Sequence, residues 1–438
     1  MATARKIVIA TFGSLGDLNP FVALAHALKR QGFEPVLATS EFYRGWIEGE
    51  GLGFAPMRPD VDEVTERLGM DIGEIAERVS RDDGFMFREL IFPYLRQSCD
   101  DVAAAGEGAS AIVAHSLAFA AQIAAERLGL PLVNVVLSPL FLFSAHDPPQ
   151  GERTPFVRAP NSAPALAYNK ALAWALTRML SLRATPLGRL RRDLGLPRRK
   201  GRALLTGGPS VTATIALASP LLAPPQPDHP PNTFIAGHTF HDRFVDATES
   251  LPPELEKFLT AGPSPLVVTL GSFVVRDKVE FYRAAGAAAR RLRRRAVLLA
   301  AEEERAALSE GLPADLFVAG HVPHSLLLPR AAAVAHHGGA GTSGQALRAG
   351  KPQLVIPFFG DQPDNAGRLA RLGVARRLPF ERFSVDRAVA ELEALFADEA
   401  YASRARELGA IVSREDGAAR AAERVAALLT REPAVVGG

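Results

Sequence analysis

A single cysteine, Cys99, stands among the 438 residues. One thiol excludes an internal disulfide and a cysteine-rich zinc site, and it fits a reducing compartment. An excess of one charge is also lacking. Lys and Arg (50) nearly balance Asp and Glu (48), and the formal net charge of +2 exerts no global pull toward nucleic acid or anionic membrane. Long apolar runs are missing as well. The N-terminal MATARKIVIATFG holds too short a run for a signal peptide. The longest apolar region, 132–143, is broken by Asn134, Ser138 and Pro139, so no transmembrane segment is expected. The basic run 290–295 has no interleaved aromatics, as a nucleic-acid stacking surface would need, and reads as a solvated face. The run 183–202 reads the same way, with an anionic partner as the alternative. These absences leave a soluble, cytoplasmic protein.

The apolar share, 47%, is enough for sizeable cores, and the length implies two or three domains. KIVIAT (6–11), a glycine-containing turn, the helical pattern FVALAHALKRQG and PVLATS (35–40) form a βαβ unit, which implies a parallel sheet. AIVAHS (111–116) and LPLVNVVLS (130–138) repeat the scheme around another helical stretch. The proline-rich SPLLAPPQPDHPP then interrupts it. Strand patterns resume at 265–272, 294–301, 315–320, 331–337 and 353–358. The expected organisation is an N-terminal domain 1–218, a linker 219–235, a second domain 236–417, and a final helix with a frayed tail, 418–438. The segment 147–164 has loop composition and is expected to form a mobile flap over the first half.

HHGGAGTSGQ (336–345) follows a strand and opens a helix. Thr342-x-x-Gln345 matches a capping box, which would satisfy two helix-start donors. Capping leaves Gly338, Gly339, Gly341 and His337 unexplained. Glycines let backbone approach a ligand, and a helix start suits phosphate oxygens, so a diphosphate is the expected partner. The stretch also matches G-x-G-x-x-G formally, with Asp361 as the acidic partner of an NAD site. It follows several strands of its own half, however, where that fingerprint usually sits in a first turn. Gln362 beside Asp361 presents donors and acceptors together, which suits several sugar hydroxyls. Asp361 also stands where a helix N-cap would, with Pro363 at the first helical position.

The block 321–373, HVPHSLLLPRAAAVAHHGGAGTSGQALRAGKPQLVIPFFGDQPDNAGRLARLG, resembles the donor signature of the UDP-glycosyltransferase superfamily, in particular its bacterial glycopeptide, macrolide and rhamnolipid branch. With the N-terminal turn the resemblance covers nearly the whole chain. It implies an α/β fold of GT-B architecture: two Rossmann-like domains whose parallel sheets face a central cleft, donor in the second, acceptor in the first, with the final helix crossing back. By resemblance, His337 bonds a diphosphate oxygen, Gly339, Gly341 and Thr342 complete the cradle, and Ser272 and Ser14 approach the same donor. Asp361 and Gln362 hold sugar hydroxyls. His321 stands where plant members place a tryptophan under the base, and the Val322 backbone reads the base edge. Gln345 replaces a glutamate that accepts from both ribose hydroxyls in many members, which favours deoxyribose and hence dTDP-sugars over UDP-sugars.

The N-terminal turn G-S-L-G-D-L-N-P (13–20) carries Asp17 where plant relatives have a histidine base. Pro20 fits a first helical position, which would make Asn19 the cap and leave Asp17 free to point into the cleft. The implied reaction is a single inverting displacement by an acceptor hydroxyl, without a metal, with Asp17 taking the proton. His115 is a second candidate base. His238 and His241 match a metal pair only loosely, and a hinge role is expected for them. Phe85, Phe87, Phe92, Phe141 and Phe143 suit a flat or apolar acceptor such as a flavonoid, polyketide or hydroxy-acyl lipid. The expected partners are small molecules, with no nucleic acid, in a monomer or weak dimer and with no cofactor beyond the nucleotide sugar. A nucleotide-sugar epimerase, an NAD-dependent oxidoreductase and a non-catalytic helper are the alternatives.

Overall fold

The computed structural model describes residues 5–151, 156–206, 208–241, 250–271 and 278–430. Strand β1 (Arg5–Ala10) sets the pattern for both halves. Ile7, Val8, Ile9 and Ala10 are all fully buried. Ile7 and Ile9 join one core, Val8 and Ala10 another on the opposite face. A parallel strand covered by helices on both sides requires such a continuous apolar run.

β1 pairs with β2 (Phe33–Thr39) and β4 (Ala111–His115). β3 (Gly53–Pro56), β5 (Leu132–Val136), β6 (Val211–Ala216) and β7 (Thr233–Ile235) extend a seven-stranded parallel sheet in the order β3-β2-β1-β4-β5-β6-β7. The second sheet has the order β10-β9-β8-β11-β12-β13. Its strands are β8 (Leu266–Thr269), β9 (Ala296–Leu299), β10 (Leu316–Ala319), β11 (Ala333–His336), β12 (Gln353–Val355) and β13 (Ala375–Arg377), again all parallel. Strand order reverses between β1 and β4 in one sheet and between β8 and β11 in the other. Ligands of open α/β sheets bind at such switch points, beyond the carboxyl ends of the strands.

The proline-rich segment does not stay outside the sheets. Its last residues, Thr233–Ile235, pair with β6, so the first sheet continues into the stretch expected to be a linker. The prolines end at Pro231, and the three residues after Asn232 regain the donors a ladder needs. The helix Gly417–Thr430 inserts Ala418, Ala421, Ala422 and Val425 into the core that holds Ile7, Phe21 and Leu24 of the first domain. Glu415, just before that helix, accepts from Ser219 Oγ (2.6 Å) and His238 N (2.8 Å), tying the crossover to the segment between the sheets.

Segment 147–151 is not a flap over the first half. Asp147 pairs with Arg368 and Arg371, and the Gln150 N–H donates to Asp364 Oδ1 (2.5 Å). Arg368 is 1% exposed and also donates to Asp364 Oδ2 (2.8 Å) and to Leu222 O (2.8 Å). Gly367 completes the join, because a Cβ there would meet Gln150 O at 2.5 Å. A buried arginine needs such a full set of acceptors. The rest of the expected flap includes residues outside the described ones, as does the tail 431–438, and the helix Ala163–Arg183 occupies its end.

Candidate active site

The first switch point opens the helix Leu15–Arg30. That helix begins one turn before the position inferred from Pro20. Ser14 is its cap and Asp17 its third residue, with Pro20 inside it. The cause is a capping box: Ser14 Oγ accepts from Gly16 N (3.2 Å), and Asp17 Oδ2 accepts from Ser14 N (2.9 Å) and Ser14 Oγ (3.2 Å). Satisfying these helix-start donors outweighs the interior donor that Pro20 lacks. Asn19 is therefore not the cap, and Ser14 holds Asp17 in place with its own hydroxyl. Gly13 has φ +120°, and a Cβ there would overlap the Asp17 carboxylate. Burial raises the Asp17 pKa against the opposing pull of the Ser14 bonds. Tyr43 closes the turn by donating to Gly13 O (3.0 Å); burial, with help from the Asp17 charge, pushes its hydroxyl up to about 12.

The second switch point is built differently. His336 is structural: its Nε2 lies 2.9 Å from Gln353 Oε1, and its Nδ1 accepts from Gly338 N (3.1 Å). The His337 ring sits between two glycines. A Cβ on Gly271 would lie 2.6 Å from its Cε1, and one on Gly339 would overlap Nε2. Burial, then the neighbouring His336 and His324, lower the His337 pKa to about 3, so the ring is neutral. Its Nδ1 is buried with no hydrogen-bond partner among the described residues.

The helix Ala340–Arg348 follows, with Gly339 as N-cap and no side-chain cap bond. The Thr342–Gln345 capping box does not form, because the helix starts at Ala340 and puts Thr342 inside its first turn. Both side chains are buried, at 8% and 7% exposure. The first N–H groups of a helix have no partner within it, and among the described residues no side chain takes their place. A Cβ on Gly341 would meet nothing within 4 Å. The arrangement leaves a helix start, a neutral imidazole and open space beside them.

Asp361 caps the helix Gln362–Arg371 by position only, and Pro363 is its second residue rather than its first. The Asp361 Oδ2 accepts from Asn365 Nδ2 (2.9 Å) instead of a helix N–H. Burial raises Asp361 to about 6; the Asn365 bond opposes this and the charge of Asp17 across the cleft adds to it. The same Asn365 Nδ2 donates to Gly338 O (2.9 Å), and Asn365 Oδ1 accepts from Ser138 Oγ (3.4 Å) of the first domain. Asn365 thus joins the sugar-side carboxylate, the glycine turn and the opposite domain. It went unremarked in the sequence, although its spacing of four from Asp361 on a helix start was visible. Gln362 is buried, and its Oε1 accepts from Phe358 N (2.9 Å) and Phe359 N (3.4 Å), so only its amide N–H groups remain for a ligand.

The remaining expected residues scatter. Ser272 lies outside the described residues. His321 is exposed after β10, and the Val322 side chain is buried in the core. His115 ends β4 with its ring edge-on to Phe12 (6.2 Å) and Phe21 (5.8 Å); burial lowers its pKa to about 4. His238 is buried against Gly344, while His241 faces Glu50 at 3.6 Å, so the two do not converge. Phe87, within the π-helical turn Met86–Ile91 that follows Phe85, lies near Phe92 (6.0 Å) and Phe119 (6.4 Å). Phe119 also lines an apolar pocket with Phe12, Met57, Ile91, Leu95 and Leu117 at the carboxyl ends of β1 and β4. Phe141 and Phe143 stand apart: Phe141 packs under β5 and β6, and Phe143 lies beneath Arg202.

Two parallel-sheet α/β domains, with an uncapped helix start at the second switch point, have the GT-B architecture. The solved spinosyn rhamnosyltransferase complexed with thymidine diphosphate superimposes with a TM-score of 0.65 at 20% identity, over 96% of this chain and 100% of that one. The model of the glycosyltransferase family 28 N-terminal domain matches residues 7–146, and that of the erythromycin biosynthesis protein CIII-like C-terminal domain matches 289–428. O-mycaminosyltylonolide 6-deoxyallosyltransferase of Streptomyces fradiae is 32% identical over 94% of each chain. Vancomycin aglycone glucosyltransferase of Amycolatopsis orientalis is 31% identical over 98% of this chain and 99% of its own. The chain belongs to the UDP-glycosyltransferase superfamily, in its bacterial branch, and is a glycosyltransferase.

Proposed function

We propose that the enzyme moves a sugar, with inversion, from a dTDP- or UDP-sugar to a hydroxyl of a small hydrophobic acceptor. The observation that carries this reading is the helix start at Gly339, uncapped by any described side chain and flanked by neutral His337, whose buried Nδ1 has no partner among the described residues. The acceptor oxygen bonds to the anomeric carbon as the bond to the diphosphate breaks, and the electron pair leaves with the diphosphate. Charge grows on the phosphate oxygens, where fixed backbone donors stabilise the transition state more than the ground state. His337 donates one N–H to the same oxygens, and Asp361 with the Gln362 amide N–H groups holds the sugar. Asp17 takes the acceptor proton on Oδ1, because Oδ2 is engaged by Ser14. Its burial-raised pKa makes it a better base than an exposed aspartate.

The neutral Gln345 favours a deoxyribose donor, and the thymidine diphosphate bound to the spinosyn rhamnosyltransferase supports the same preference. The apolar side chains Phe12, Met57, Leu117 and Phe119 at the carboxyl ends of β1 and β4 support an apolar acceptor, and the relatives, an O-mycaminosyltylonolide 6-deoxyallosyltransferase and a vancomycin aglycone glucosyltransferase, support a natural-product one. A thermal-shift panel with UDP, dTDP, GDP and NAD tests the donor class. A ligand at 100 times its Kd adds roughly 2.7 kcal/mol, so stabilisation by dTDP or UDP and not by NAD is expected. Stabilisation by NAD alone would reverse the assignment.

A further inference from the structure

The helix Ala163–Arg183 is inverted relative to an ordinary surface helix. Its buried positions, Ala165, Asn169, Thr177 and Ser181, are small or polar. Asn169 anchors that face by donating to Ala145 O (3.3 Å) and Arg158 O (2.7 Å) and accepting from Arg158 N (3.0 Å). The large apolar side chains point out: Trp174 is 69% exposed, Leu182 62% and Met179 42%. At about 100° per residue, Tyr168, Ala171, Trp174, Ala175, Met179 and Leu182 share one arc of roughly 140°.

Charge on this region has one sign. Asp193 is the only acidic residue between Phe156 and Ser210, against eleven Lys and Arg, of which Arg191 and Arg199 are turned inward onto Glu126. Lys170, Arg178 and Arg183 lie on the helix itself, all exposed, and none forms an ion pair with a described residue. The helix is not long and apolar enough to cross a membrane. Tryptophan and tyrosine favour the bilayer interface, and Lys and Arg extend their head groups to lipid phosphates while their stems stay on apolar surface.

We propose that this face docks on an anionic lipid bilayer, with the helix lying in the plane of the interface. A second copy of the chain is a poorer fit, since a two-fold contact would press like-charged stripes together. The near-neutral total charge conceals this surface because acids elsewhere in the chain balance it. The surface acts independently of the sugar-transfer chemistry.

The test uses the full chain carrying Trp46→Phe, which leaves Trp174 as the sole tryptophan. Flotation with phosphatidylcholine vesicles, with and without phosphatidylglycerol, is read together with Trp174 fluorescence. Binding and a blue shift are expected with the anionic vesicles, weakening at high salt. Lys170→Glu with Arg178→Glu should reduce partitioning by more than about tenfold, at roughly fivefold per cation. Trp174→Glu with Leu182→Glu should abolish it while thermal stability is unchanged, because both side chains are exposed. Absence of anionic-vesicle binding, or binding indifferent to these substitutions, would overturn the proposal. So would a concentration-dependent dimer, broken by the same substitutions, in a chain that ignores vesicles.

Discussion

The two switch points share a plan: each follows a parallel strand, turns on glycine and opens a helix toward the cleft. They differ in how the helix start is filled. At Leu15–Arg30 the chain supplies its own anion, since Asp17 and Ser14 satisfy the first donors between them. At Ala340–Arg348 it supplies none, and Gly339 stands where a capping side chain would be. A helix start attracts negative charge, so the first is occupied from within and the second is open to an external anion. The same difference sorts their chemistry. The first holds a carboxylate fixed at one oxygen and able to take a proton with the other, while the second presents fixed donors and a neutral ring.

Acidification probes the comparison most strongly. His336 and His337 at the second switch point, with His238 against its helix, are held neutral near 4, 3 and 4, and His115 at the first is held near 4. The unfolded chain binds these protons from about pH 6.5 downward, so stability is present above pH 6.5 and is lost as pH falls toward 4. Asp361 acts in the opposite sense, because its folded pKa near 6 lies above its ordinary value and protonation relieves a buried charge. Asp17 and Asp364 are raised by burial as well and act with Asp361, so the melting temperature should fall less between pH 6.5 and 4 than the four imidazoles alone would dictate.

Asp17→Asn keeps an acceptor for Ser14 and should leave the helix start intact. It should lower kcat by about 10²–10⁴-fold, with the nucleoside diphosphate Kd nearly unchanged; retained turnover would move the base elsewhere. Gly339→Ala displaces His337 and should weaken nucleotide binding by about 100-fold, or roughly 2.7 kcal/mol, as read by calorimetry. Asp361→Asn removes a buried charge while keeping a partner for Asn365. It should stabilise the ligand-free protein by about 1–3 kcal/mol at pH 8 and flatten the pH dependence near 6, while sugar transfer is lost.

Most of the sheet was legible because parallel strands buried on both faces read as continuous apolar runs, as KIVIA and AIVAH do. The strands GFAP, TFI and ARR were not, since three or four residues carry no period and take their place only by pairing, and VTATIA was not because Thr212 and Thr214 break its apolar run. The donor turn was legible from HHGGAG, but the purpose of each glycine was not. Gly339 and Gly271 make room for His337, which no local pattern reveals, whereas Gly341 faces open space. The start of the first helix was misplaced because Pro20 was weighed above the Ser14–Asp17 pair. The Asp147–Arg368 join was invisible because its partners lie more than 200 residues apart.

The open helix start is tested most directly by titrating UDP and dTDP into the wild-type enzyme and Gly341→Val. A Cβ at 341 has no described atom beyond its own helix and chain neighbours within 4 Å, so the substitution should leave the melting temperature nearly unchanged and fill the space given to the diphosphate. The wild type should bind both, dTDP the more tightly, and the variant should lose about 100-fold or more. Equal binding by the two proteins would mean that the diphosphate lies elsewhere and that the glycine turn serves the fold alone.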